Sequence, residues 1–98
     1  MKTIEESLAE DLKDPGFRAE WERTAVARAV ANAIVKYRGE RGMTQTQLAR
    51  QLGMRQAAIA RLELGEHDPS LATLARLSRG LGINIHIEIT PGSLSLSA

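Results

Sequence analysis

Ninety-eight residues with 43% apolar content suffice for one small helical core, and the absence of cysteine excludes disulfides and thiolate metal sites. No apolar run approaches bilayer-spanning length, and the start MKTIEESLAEDL is too acidic and polar for a secretory leader. A soluble, cytoplasmic protein with no membrane contact and no cofactor is expected.

The net charge of +1 divides unevenly along the chain. Residues 1–22 hold three basic and seven acidic residues, a net of −4; residues 23–98 hold ten basic and five acidic, a net of +5. Such asymmetry suggests two surfaces with two kinds of partner, although a plain solvated acidic helix has the same charge.

In chain order, Thr3 with Glu6 three residues on forms a capping signal for a short helix to about Leu12, with Ile4, Leu8 and Leu12 on one stripe. Asp14-Pro15 then reads as N-cap and first residue of another helix. From Phe17 to Arg41 no proline interrupts, but the apolar phase shifts. Val26, Val30, Ala33 and Tyr37 share one face, while Phe17 and Trp21 point almost oppositely. Either the helix breaks near Arg23–Ala25 or two of the three aromatics face away from the core. Phe17 and Trp21 then form a partner site, or Ile4, Leu8 and Leu12 fold back over them.

Residues 44–66, TQTQLARQLGMRQAAIARLELGE, carry the most specific pattern. Thr44 and Gln47 make a capping box, and Leu48, Ala49 and Leu52 form one helix face. Gly53 stands where a left-handed residue ends that helix. Met54, Ile59 and Leu62 turn a second helix inward, and small Ala49 lets the two helices cross closely. These features in register describe a DNA-reading helix-turn-helix rather than a bland helical hairpin.

Beyond the motif, Ser70 caps a helix carrying Leu71, Leu74, Leu77 and Leu81, ended by Gly80 and Gly82. Residues 83–90 alternate with isoleucine at Ile83, Ile85, Ile87 and Ile89, a strand closed by Pro91-Gly92. No second strand is evident, so this one is expected to pair with its copy about a two-fold axis. Residues 91–98 read as a loose, serine-rich tail.

The motif resembles the phage-repressor (XRE/Cro) class of helix-turn-helix domains over residues 25–82. The matching parts are Thr44-Gln45, Leu48-Ala49, Gly53, Gln56, Ile59, Glu63-x-Gly65 and Pro69-Ser70-Leu71-x-Thr73-Leu74. Arg55 departs from the class, standing where a Ser or Thr usually caps the recognition helix. Glu66-His67-Asp68 is acidic where many relatives are basic. The resemblance implies a mainly α, repressor-like helical bundle, here with an N-terminal helical extension (residues 1–24) and one C-terminal dimerising β-strand.

The chemistry agrees with a binding protein rather than an enzyme. His67 lies in a polar loop and His86 on the polar side of the strand, with no activated nucleophile or metal-ligand cluster in view. On the recognition helix, Arg55, Gln56, Ala57, Ala60 and Arg61 are expected outward. Arg61 suits guanine, Gln56 adenine or a phosphate, and Ala57 a thymine methyl. In the resembled class, residues matching Gln56, Ala57 and Arg61 lie at the groove, and the one matching Gln45 contacts a phosphate. Arg50 and Arg41 are further phosphate candidates, equally well read as solvated charge. A strand-paired dimer would set two such helices ~34 Å apart on a palindromic operator.

The whole layout is similar to that of HigA-type antitoxins of bacterial toxin–antitoxin operons. That resemblance implies autorepression and neutralisation of a basic RelE/HigB-like mRNA-cleaving toxin by the acidic segment bearing Phe17 and Trp21. A stand-alone regulator without toxin, or a protein-bridging adaptor of the same fold, are the alternatives.

Overall fold

A computed structural model of the chain describes residues 1–97, leaving Ala98 outside the described residues. The order of elements is α1 (Ile4–Asp11), α2 (Pro15–Arg23), α3 (Ala25–Arg41), α4 (Gln45–Leu52), α5 (Gln56–Leu64), α6 (Leu71–Leu81), β1 (His86–Thr90) and β2 (Ser93–Ser97).

Local chemistry sets most boundaries. Thr3 Oγ1 accepts from Glu6 N at 3.0 Å, Asp14 Oδ1 from Gly16 N at 2.8 Å, and Ser70 Oγ from Thr73 N at 3.1 Å. Each satisfies an amide that the first helical turn leaves without an intrahelical acceptor. The long helical stretch breaks at Thr24, whose backbone leaves helical geometry (φ −97, ψ 12) between α2 and α3. The phase shift between Trp21 and Val26 thus corresponds to a real break.

The core gathers Val30 and Ile34 of α3, Leu48, Ala49 and Leu52 of α4, Ile59 of α5, and Leu74, Leu77 and Leu81 of α6. Two inward faces differ from expectation. On α3 the buried set is Val26, Ala27, Val30, Ala31 and Ile34, while Ala33 and Tyr37 are only half-buried. The helix is rotated so that bulky Ile34, not Ala33, fills the centre. On α6, Leu71 is 76% exposed because the first residue of the helix projects past the end of the core.

The C-terminal segment departs further. β1 pairs antiparallel with β2, opposite Ile87 with Leu96 and Ile89 with Leu94, so the tail is a strand and the first strand is not alone. Pro91 and Gly92 make the tight turn, and Thr90 Oγ1 lies 2.8 Å from Ser93 Oγ across its base. The serine alternation of Ser93–Ser97 puts Leu94 and Leu96 on the same face as their cross-strand partners Ile89 and Ile87. β2 packs against α3 and α2. Ile83 and Ile85 precede the strand and, with Leu96, lean on this chain's own core. They are therefore half-buried within this chain, and only Ile87 and Ile89 of the four isoleucines are exposed.

Candidate nucleic-acid interface

Gly53 takes a left-handed conformation (φ 66), and Met54 N then donates back to Ala49 O at 2.8 Å. This satisfies a carbonyl at the end of α4 and turns the chain sharply into α5. Thr44 and Gln47 form the reciprocal capping box at the other end, with Gln47 N–Thr44 Oγ1 at 3.1 Å and Thr44 N–Gln47 Oε1 at 2.8 Å. Both ends of α4 are therefore pinned. Ile59, wholly buried, anchors α5 against it.

With Ile59 inward, the front of α5 faces out. Arg55, Gln56, Ala57 and Arg61 are exposed, whereas Ala60, expected outward, is half-buried. Arg55 occupies the N-cap position without a side-chain capping bond, which leaves its guanidinium directed by no helix duty. Arg50 is exposed on α4. Arg41 is committed in part, with its Cζ 3.6 Å from the centroid of the Tyr37 ring. Tyr37 Oη in turn accepts from Gln51 Nε2 at 2.8 Å.

A polar chain runs beneath this face. Arg38 Nη1 donates to Glu63 Oε1 at 2.5 Å, with the Glu63 side chain only 9% exposed. The other carboxylate oxygen, Oε2, accepts from Gln45 Nε2, and Gln45 Oε1 accepts from Gln56 Nε2 at 2.7 Å. Gln45, expected at a phosphate, is half-buried and linked to a neighbour on each side. Arg38 Nε is buried without a partner, so Glu63 meets the guanidinium through a single nitrogen.

The second surface is separate. No residue of α1 or α2 is buried. Phe17 and Trp21 stack with centroids 6.2 Å apart and an interplanar angle of 19°. Neither belongs to the core cluster. Leu8 and Leu12 are half-buried and Ile4 is 85% exposed, so α1 lies along Trp21 without covering the pair. Arg28 of α3 sits against Trp21, and burial there pushes its guanidinium pKa below the ordinary arginine value.

The helix-turn-helix (HTH_3) family model matches residues 34–87, more than half of the chain and all of α4 and α5. The chain belongs to the helix-turn-helix family of DNA-binding transcriptional regulators. This helix-turn-helix protein is 30% identical over 76 residues to "Antitoxin HigA1" of Mycobacterium tuberculosis, a match covering 78% of this chain and 51% of that one. The chain thus spans about half the length of that antitoxin. It is 42% identical over 55 residues to an uncharacterised helix-turn-helix transcriptional regulator of Methanothermobacter thermautotrophicus, covering 56% of this chain and 78% of the relative. A crystal structure of an HTH_3 family transcriptional regulator from Vibrio cholerae superposes with a TM-score of 0.56 at 28% identity, covering 62% of this chain and 34% of that one.

Beneath the helix-turn-helix, the pairing of two residues escapes a reading of the sequence alone. Glu63 is visible there only as part of the Glu63-x-Gly65 spacing, and nothing marks Arg38, 25 positions earlier, as its partner. Only the crossing of α3 with α5 brings them together.

Proposed function

We propose that this protein is an operator-binding repressor that acts as an antitoxin: it autoregulates its operon and neutralises a basic, RelE/HigB-like mRNA-cleaving toxin in the cytoplasm. The observation that carries the DNA half is the exposure of Arg55, Gln56, Ala57 and Arg61 on one side of α5. These groups supply the donors, acceptors and methyl that base edges in a major groove recognise. Arg50, flanking them on α4, is suited to the phosphate backbone.

A homodimer on a palindromic site is the matching assembly. The two-stranded sheet leaves β1 with an outer edge, and Ile89 is 77% exposed. A second copy adding at β1 would pair that edge and extend the apolar face that Ile87 and Ile89 begin.

The toxin half rests on charge and aromatics. Residues 1–22 are net acidic with three basic against seven acidic side chains, and Phe17 and Trp21 stand outside the core. An acidic, aromatic-bearing surface complements a basic RNA-directed protein. Similarity to "Antitoxin HigA1" supports the same reading. The match to an uncharacterised regulator favours a second one, a stand-alone repressor without toxin. A bridging adaptor would have no use for outward Arg55 and Arg61.

Co-expression of the chain with the product of its neighbouring gene decides between the first two. A stable complex, dissociated by Trp21→Ala, is expected. Absence of any complex, with operator binding intact, leaves the stand-alone repressor.

A further inference from the structure

We propose that Glu63, which does not reach the DNA-facing surface, sets the base preference of α5 by fixing which side of the Gln56 amide faces the groove. The inference rests on the reading of Gln56 as a base-contacting residue.

The argument starts at Arg38. Its Nη1 holds Glu63 Oε1 at 2.5 Å, and the remaining oxygen, Oε2, meets the Gln45 amide. A carboxylate facing a guanidinium has no proton to give, so Gln45 must turn its NH2 toward Glu63. The Gln45 carbonyl is then the atom left for Gln56, which donates Nε2 to it at 2.7 Å. Gln56 keeps one N–H and its Oε1 free, side by side. That donor–acceptor pair fits adenine, which offers N7 as acceptor and its N6 amino group as donor.

Reverse the Gln45 amide and the outcome changes. Gln56 would have to accept through Oε1, leaving two N–H groups toward the groove. Two donors fit guanine, whose N7 and O6 both accept. A carboxylate under the recognition helix thereby favours adenine over guanine at the position Gln56 touches. Glu63 is a positioning residue, and Arg38 holds it in place.

The test uses the full chain and a randomised duplex library. Selection on the wild type yields a site, and Gln56→Ala identifies the position that Gln56 reads. Duplexes carrying adenine or guanine at that position are then competed. The wild type should prefer adenine by about tenfold. The Glu63→Gln side chain can accept from Gln45 or donate to it, so both amide orientations become available. The preference should fall below about threefold, while that at the Arg61 position stays unchanged. Because Glu63→Gln leaves Arg38 without its counter-charge, the double variant Arg38→Met/Glu63→Leu serves as a second probe that buries no charge. It should show the same loss.

A merely structural role for Glu63 would lower affinity for all duplexes without altering one position alone. If Gln56→Ala erases a preference that both Glu63 variants retain, the relay is overturned while Gln56 keeps its role. If Gln56→Ala alters no position, the base-contact reading is wrong and the relay falls with it.

Discussion

The Arg28 guanidinium lies over the Trp21 indole, with Cζ 3.4 Å from the ring centroid, at the seam between α2 and α3. Arg28 Nη1 also donates to the Trp21 carbonyl and to Thr24 Oγ1 across the helix break. Trp21 is thus tied to α3 by the face of its ring and by its carbonyl, outside the core cluster. Trp21→Ala should cost about 1 kcal/mol of stability in denaturant unfolding, the scale of a half-exposed cation–π contact. Operator affinity should barely move. The proposed toxin complex, in contrast, should lose about 2 kcal/mol or more, as buried aromatic anchors do. Trp21 fluorescence in the wild type should shift blue on adding toxin. Collapse of the whole fold in Trp21→Ala would instead make the N-terminal helices scaffold.

Gly80 offers a stability test remote from either surface. A Cβ built there would lie 1.8 Å from Leu52 Cδ2 and 3.3 Å from its Cγ. Leu52 is buried on α4 where it meets α6, so its methyl end must swing aside to admit the new group. Gly80→Ala gains about 1 kcal/mol of helix propensity but overpacks a close helix crossing, which costs about 1–3 kcal/mol. A net loss of about 1 kcal/mol is expected, seen as a melting temperature lower by about 5 °C.

How much of this was readable beforehand depended on the range of the interaction. The capping box of Thr44 and Gln47, the left-handed Gly53 and the break at Thr24 all follow from neighbours within a few residues. The first two were legible in the sequence, and the break was one of the two arrangements that the apolar phase allowed. Gly80 looks like a helix terminator by composition, yet Gly82 ends α6 and Gly80 serves the contact with Leu52. Ser93–Ser97 looks loose by its serines, although the alternating Leu94 and Leu96 supply a strand face. Arg38 and Glu63 lie furthest from view, because only tertiary crossing pairs them. Of the site itself, the outward Arg55, Gln56, Ala57 and Arg61 were legible from the phase of α5, and the polar chain that holds Gln56 was not.

The dimer should respond to one exposed side chain. Ile89→Glu places a charge on the open apolar face of the hairpin, opposite Leu94, without removing a backbone donor. Proline at Ile87 would be less clean, since it also disturbs the pairing within the chain. Sedimentation should report monomers for Ile89→Glu against the dimer proposed for the wild type, with the monomer's own unfolding stability changed by less than about 0.5 kcal/mol. Operator affinity should drop at least about tenfold as one half-site is lost. A variant that stays dimeric would place the interface elsewhere.

The central claim is that α5 reads DNA bases through its outward side chains. Equilibrium binding to a duplex selected by the wild type, compared with Arg61→Ala over a range of salt concentrations, tests it most directly. Affinity should fall steeply with salt through phosphate neutralisation. At fixed salt, Arg61→Ala should lose about 1–3 kcal/mol and relax base preference at one position of each half-site. A folded Arg61→Ala protein with unchanged affinity and unchanged preference would contradict the account.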